Sequence, residues 1–253
     1  VCFQTQKAPF DDPRVRKAFS LAIDRTYIVN QVTQSGQVEA GGFVPSGVYD
    51  ADGADGDDFR TVGGDYYKPT DADYEANCDE ARQLLADAGY PNGEGFPVVE
   101  YLYNTSDAHK AVAEALQFMW EEELGVKVTL NNQEWAAFLQ TRKDGDYSIA
   151  RNGWIADYND PISFLDMWMT GGGNNDAQYA NDDYDALIKQ AKTTTDNAER
   201  MDLLHQAEDK LIGEDSVLAP LYFYTQKYML ADGIEGMYYC PLGYFFFGYT
   251  HQA

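Results

Sequence analysis

Between Val98 and Gly153 the spacing of apolar residues switches back and forth between two periods, and this alternation restricts the fold more than any other feature of the chain. Side chains on a strand change faces every second residue, whereas those on a helix recur about every 3.6. Val98 to Tyr103 reads as an extended run, about Asp107 to Leu124 as a helix closed by Gly125, and Val126, Val128 and Leu130 as an alternating strand. Trp135 to Arg142 then reads as a short helix and Tyr147 to Gly153 as another strand. A strand-helix-strand-helix-strand order predicts an α/β lobe, its sheet flanked by helices.

Further helices bracket this segment. Asp12 followed by Pro13 is a helix entrance, a capping carboxylate before a proline whose missing N–H costs nothing at the first helical position. Val15, Ala18, Phe19, Ala22 and Ile23 give that helix one buried face, and a second helix from Asp24 carries Ile28, Val29 and Val32 inward before stopping near Gly36. Asn77, with Glu80 three residues on, has the form of a capping box, starting a helix whose stripe is Ala81, Leu84, Leu85 and Ala88 up to Gly89. Two later helices carry Tyr184, Leu187, Ile188 and Ala191, then Met201, Leu204 and Leu211, and Val217 to Tyr224 returns as a strand. Gly36 to Thr70, rich in Gly, Asp and Tyr, keeps no period and is expected to be a long surface excursion. Its Asp50 to Asp58 carboxylates miss the spacing of a calcium hand loop, since Ala54 stands at a ligand position and no glutamate closes the run.

Composition then limits the function classes. A chain of 253 residues can bury a full core, and 44% apolar with 14% aromatic residues argues against disorder. The 18 basic and 42 acidic residues leave a net charge of -24, the wrong sign for nucleic acid or an anionic membrane face. The apolar runs Gly243 to Tyr249 and Val217 to Tyr224 fall far short of the roughly 20 residues of a membrane span. No charged-then-apolar leader opens the sequence, so a signal peptide is expected to have been removed or to lie upstream in a longer parent. Cys2, Cys78 and Cys240 lack metal-ligand spacing; a Cys2–Cys240 bridge is compatible with export, and buried free thiols fit the odd count at least as well. The tail crowds together Tyr238, Tyr239, Tyr244, Phe245, Phe246, Phe247 and Tyr249, a density that calls for a covering surface, either this lobe or something outside the chain.

The string Gln6-Lys7-Ala8-Pro9-Phe10-Asp11-Asp12-Pro13-Arg14-Val15-Arg16, leading into Ala22-Ile23-Asp24-Arg25, resembles the opening of the second lobe of oligopeptide-binding proteins. Leu102 to Asp107, Asn132 to Trp135, Gly153 to Pro161, Asn174-Asn175 and Pro220 to Tyr224 match the same family in the same order, so the resemblance spans residues 3 to 228. The family is that of extracellular solute-binding proteins of the oligopeptide and dipeptide type, which resemble a clam whose two lobes close over a peptide. The resemblance implies a class II periplasmic-binding-protein-like fold in which residues 1–227 form the second, peptide-binding lobe, with hinge strands near 1–6 and 217–227. Residues 228–253 are then expected to belong to a first lobe whose main body is missing from this chain. It further implies short peptides as ligands, the permease subunits of an ABC importer as partners, a monomer, no cofactor, and a place in the periplasm or on the cell surface as a lipoprotein.

A free peptide offers an ammonium, a carboxylate and a row of main-chain groups, which a receptor indifferent to side chains must bind. By resemblance, Asp157 grips the α-ammonium, and Trp154 and Ile155 lend main-chain groups as an added strand would. Arg151, Arg142 and His109 resemble the family's positive groups that meet peptide carboxyl ends, and Trp135 and Tyr224 match aromatic positions lining side-chain pockets. Ile155 stands where some relatives carry a cysteine, so no bridge forms at that point. From the residues alone each has a plainer use: Asp157 in a turn, the three cations as solvated charges, and Trp154, Trp135 and Tyr224 in the core.

Catalysis finds little support. His205 and His251 have no recognisably placed Ser or Cys partner, and neither a nucleophile elbow, a zinc-protease helix nor a phosphate loop occurs. Asp157 and Asp160 are too near in one loop to hold the separation of a glycosidase pair. The competing expectations keep the fold and change the ligand to a dipeptide, signalling peptide, nickel complex or other small solute, or make the lobe the sensor of a DNA-binding regulator.

Overall fold

The computed structural model describes residues 1–67, 71–240 and 243–253. Its central sheet runs in the order Cys2–Phe3, Ile149–Ala150, Val99–Asn104, Val128–Gln133. The last three strands are parallel and Cys2–Phe3 is antiparallel to its neighbour, so the sheet is mixed. Val217 to Ala219 lies along the far side of Cys2–Phe3: Phe3 N donates to Val217 O (3.4 Å) and Ala219 N to Val1 O (3.0 Å). The two segments are thereby held side by side.

Local chemistry sets the helices around the sheet. Asp12 accepts from Arg14 N and opens Pro13–Leu21, which buries Val15, Ala18, Phe19 and Leu21. Asp24 accepts from Tyr27 N (2.7 Å), and the chain widens into a π-helical turn over Ile28–Thr33 before Gln34 closes it with φ 48°. Asp107–Leu124 turns Val112, Leu116, Trp120 and Leu124 inward and stops at Gly125, whose φ is 66°. A Cβ on Gly125 would lie 2.4 Å from the Asn92 carbonyl oxygen, so the left-handed backbone and the close approach both require glycine. Trp120 Nε1 donates to Phe19 O (2.8 Å), fastening this helix to the first.

The structure departs from the pattern-based expectations in three places, and of the two cysteine expectations it bears out the free thiols. The helix expected to start at Asn77 spans Asp71–Asp87, so Asn77 and Glu80 do not form its entrance; the Tyr74 hydroxyl donates to Ala22 O (3.3 Å) and docks the extra turns on the preceding helix. Regular pairing in the strands expected over Tyr147 to Gly153 and Val217 to Tyr224 is confined to Ile149–Ala150 and Tyr222–Phe223, although Gln4 N still bonds Ser148 O (3.1 Å) and Arg151 N bonds Leu102 O (2.8 Å). All three cysteines are free; Cys2 is buried in the sheet with its sulfur 3.3 Å from the Tyr147 hydroxyl, so the Cys2–Cys240 bridge is not formed. Burial pushes the Cys2 thiol up to about 11.

The third departure is the largest. The described part of the Gly36–Thr70 segment is an anchored excursion and not a solvated loop, with residues 68–70 lying outside the described residues. Val38–Glu39 pairs with Tyr222–Phe223, Tyr49–Asp50 pairs with Gly53–Asp58, and Ala40, Val44, Val48 and Phe59 are buried. Its anchor is Glu208, 0% exposed, which accepts from Phe43 N, Val44 N and Arg60 Nη1, each at 2.8 Å. Burial acts to lower the Arg60 pKa, but the charge and hydrogen bond of Glu208 raise it on balance. Asp58 accepts from Gly47 N (2.7 Å) and Thr61 N (2.8 Å), while Asp50 pairs with His205 Nε2 (2.7 Å), which engages these carboxylates within the fold.

The tail folds onto itself. Tyr238–Cys240 pairs with Tyr244–Phe246, and Tyr238 stacks on Phe246 with ring centroids 4.8 Å apart. Tyr244, Phe246, Phe247 and Tyr249 nevertheless remain exposed. No helix among the described residues is long and apolar enough to cross a membrane. Glu208→Ala removes the acceptor of two main-chain N–H groups and leaves the buried Arg60 guanidinium with only the longer 3.7 Å pairing to half-exposed Asp65, and is expected to lower the unfolding free energy by about 3–5 kcal/mol. Urea denaturation of the two proteins checks this; a loss no larger than that of a surface substitution refutes the anchoring role.

Candidate functional site

From the central strand Val99–Asn104 the chain crosses to Val128–Gln133 on one side and then to Ile149–Ala150 on the other. Where neighbouring connections diverge in this way, the carboxyl ends of the strands leave a crevice. Three of the sequence motifs meet at that edge: Thr105 Oγ1 lies 2.9 Å from Asn132 Oδ1 and 3.0 Å from Glu134 Oε1, and the segment 151–160 leaves the strand beside them.

That segment is clamped along its length. Arg142 Nη1 donates to Arg151 O (3.2 Å) and Asn152 Oδ1 (3.1 Å), and Arg142 Nε lies 2.8 Å from Asp176 Oδ2. Burial raises the Asp176 pKa, and the Arg142 charge opposes the rise. Further along, Trp154 Nε1 donates to Ser163 O (2.7 Å) and Asp157 N to Ser163 Oγ (2.9 Å). Asn159 accepts from Tyr49 N (2.8 Å) and donates to Gly47 O (3.1 Å), while Arg200 grips Asp160 with two bonds of 2.8 Å. Between these clamps the main-chain N–H and C=O groups of Trp154, Ile155 and Ala156 have no hydrogen-bond partner among the described residues. They lie along a cavity of about 780 Å³.

Five of the eight residues singled out from the sequence line this cavity: Arg151, His109, Trp154, Ile155 and Tyr224. Arg151 Nη2 is 3.4 Å from the Tyr224 hydroxyl, and among the described residues no carboxylate pairs with it. His109 Nδ1 is 3.4 Å from Asn104 O, and burial, then the Arg151 charge, holds its pKa below the ordinary 6.5. Asp157 lies just off the cavity, exposed, between Ala156 and Tyr158, which do line it, and no cation pairs with it among the described residues. Arg142 and Trp135 stand apart from the cavity. The Arg142 guanidinium is engaged by Asp176 and the root of the loop, so it supports the site from behind; Trp135 is exposed and stacked on Phe138 at 5.8 Å.

Other wall residues went unmarked. Phe43 and Tyr49 come from the anchored excursion, and Phe164, Met167 and Trp168 from the turn after the loop. Phe43 meets both Phe164 and Trp168 edge to face at 5.8 Å. Asn159 lay inside a quoted motif, and its amide, matched to two main-chain groups, was the one sequence signal of this contact. Asn175, from another motif, is a staple: its Nδ2 donates to Met169 O (3.0 Å) and Tyr179 O (2.8 Å).

Comparison with known proteins assigns the fold. Residues 1–176 match the family described as bacterial extracellular solute-binding proteins, family 5 Middle. The dipeptide-binding protein DppE of Bacillus subtilis is 38% identical over 243 residues, which cover 96% of this chain and 43% of that protein. The periplasmic oligopeptide-binding protein OppA of Salmonella typhimurium is 38% identical over 231 residues, 91% of this chain and 40% of that protein. The crystal structure of Haemophilus influenzae OppA in complex with RPPGFSPFR superposes with a TM-score of 0.78 at 30% identity, covering 93% of this chain and 44% of that one. This chain therefore spans less than half the length of these curated relatives. Since the family match runs through the sheet, the excursion and the whole clamped loop, the chain belongs to the bacterial extracellular solute-binding proteins of family 5.

Proposed function

We propose that this chain is one wall of the substrate-binding component of an ABC importer, capturing short peptides by their main chain and termini outside the cytoplasmic membrane. The observation that carries this reading is the main chain from Trp154 to Ala156, unbonded among the described residues and bounded by a cation, Arg151, and a carboxylate, Asp157, neither of which has an opposite charge paired with it among those residues. An extended peptide laid on that segment gains the hydrogen bonds of an added strand whatever its side chains. Its carboxylate falls to Arg151 beside His109 and Tyr224, and its ammonium to Asp157. The guest then runs antiparallel to the loop. Six residue steps span at most roughly 20 Å, which suits a guest of a few residues.

Peptide-binding relatives on both sides of this comparison, DppE and OppA, support the ligand class. On this reading the rest of the full-length protein supplies the facing wall and packs against the exposed aromatic residues of 228–253. The permease subunits of the importer are its partners, the receptor acts as a monomer in the periplasm or tethered to the cell surface, and it performs no catalysis.

Two measurements test the assignment. In calorimetry on the full-length protein, acetylating the peptide amino group weakens wild-type binding about 10–100-fold, the worth of a charge-assisted hydrogen bond, but has little effect in Asp157→Ala. Amidating the carboxyl group behaves in the same way toward Arg151→Gln. A penalty that persists undiminished in either variant rejects that contact. In an NMR titration the unliganded protein shows His109 with a pKa below 6.5, and Arg151→Gln raises it only part of the way back, because burial, the larger cause, remains. An unchanged His109 titration in that variant means that Arg151 does not face it.

A further inference from the structure

The cavity walls have a charge composition unlike that of the chain. Against 42 acidic and 18 basic residues overall, the lining contains no Asp, Glu or Lys among the described residues, and its one charged side chain is Arg151. Most of the remaining lining is apolar or aromatic, Phe43, Tyr49, Trp154, Phe164, Met167 and Trp168 included, with uncharged polar groups such as Asn152, Asn159 and Gln226 among it. Phe43 stands edge-on to Phe164 and to Trp168, each at 5.8 Å, and its main-chain N–H is held by buried Glu208 at 2.8 Å. This aromatic corner is thus fixed by the fold.

We infer that the wall selects among peptides by side chain: it favours a guest carrying a large apolar or aromatic side chain over the Phe43–Phe164–Trp168 corner and disfavours Asp, Glu, Lys or Arg at that position. The inference rests on the peptide reading above and gives it a substrate class. A charged side chain laid against these rings leaves water without gaining an opposite charge, which opposes binding. A Phe or Leu side chain instead removes apolar area from water on both partners, and an aromatic guest extends the edge-to-face array. Arg151 is occupied by the guest's own carboxylate and is not available to an acidic side chain.

The test uses the full-length protein, stripped of endogenous guest, in calorimetry against Ala-Ala-Ala and tripeptides with Phe, Leu, Glu or Lys placed at each of the three positions in turn. At one position Phe and Leu are expected to bind at least tenfold tighter than Ala, and Glu and Lys at least tenfold weaker. Phe43→Ala is expected to bring the Phe-to-Ala affinity ratio at that position to within threefold of unity, while Phe43→Leu keeps most of it. If the peptides bind with similar affinity at every position, or if the ratio survives Phe43→Ala intact, the side-chain preference is overturned and the peptide reading stands. If no tripeptide binds, both fall together.

Discussion

Glu208 touches no solvent, yet one of its oxygens receives three donors, two from the main chain of Phe43 and Val44 and one from the Arg60 guanidinium. A buried ion pair of this kind contributes little net stability over an apolar replacement, because desolvation consumes most of the attraction. Its value here is positional. Arg200, Leu204 and Glu208 recur at four-residue intervals on the helix Asn197–Glu208, with His205 one residue beyond the middle of that stripe. Arg200 holds Asp160 at the end of the loop 151–160, His205 pairs with Asp50 and stacks on Phe59 at 3.9 Å, and Glu208 holds the excursion. A single helix therefore sets the distance between two walls of the cavity, and residues positioned this way lose less freedom when a guest arrives.

The same economy governs the arginines. Arg142 is neutralised by Asp176 and Arg200 by Asp160, and both spend their remaining donors or geometry on the loop 151–160. Arg151 alone of these three faces the cavity without a carboxylate. Rigid clamps on either side of an unbonded main-chain segment create an unusual local state, since backbone N–H and C=O groups seldom stay unpaired when partly sheltered. A guest with its own main chain in extended form can satisfy them bond for bond, as an added strand does.

What could be read from the residues was whatever is decided within a few positions. Gly125 closes its helix because a left-handed residue is required there, and Asp12 and Asp24 open theirs by side-chain bonds to N–H groups two or three residues on. The α/β order was legible for the same reason, and so were the cavity positions of Trp154, Ile155 and Tyr224 through their motifs and of Arg151 and His109 through the family resemblance. The excursion was not, since its order comes from Glu208, some 165 positions away from Phe43, and no local period announces it. Nor was the role of Arg142, because the partner that occupies it, Asp176, lies 34 positions downstream, and nothing in the spacing distinguishes an arginine that meets a guest from one that braces the loop. The capping signature at Asn77 failed for a related reason: a short-range motif was overruled by the docking of Tyr74 against Ala22.

The electrostatic contacts assigned to Arg151 and Asp157 are worth little while they face water, where paired surface charges contribute about 0–1 kcal/mol. Their worth rises as solvent is excluded, because the same charges then interact through a medium of lower dielectric constant. A wall that, among the described residues, presents an unpaired Arg151, an unpaired Asp157 and a run of unbonded main chain is therefore weak by itself and strong when covered. On the proposed reading, the guest binds the closed arrangement more tightly than the open one, and that difference in affinity is what shifts the receptor toward closure. The exposed rings of Tyr244, Phe246, Phe247 and Tyr249 fit the same logic, as apolar surface that gains from being covered.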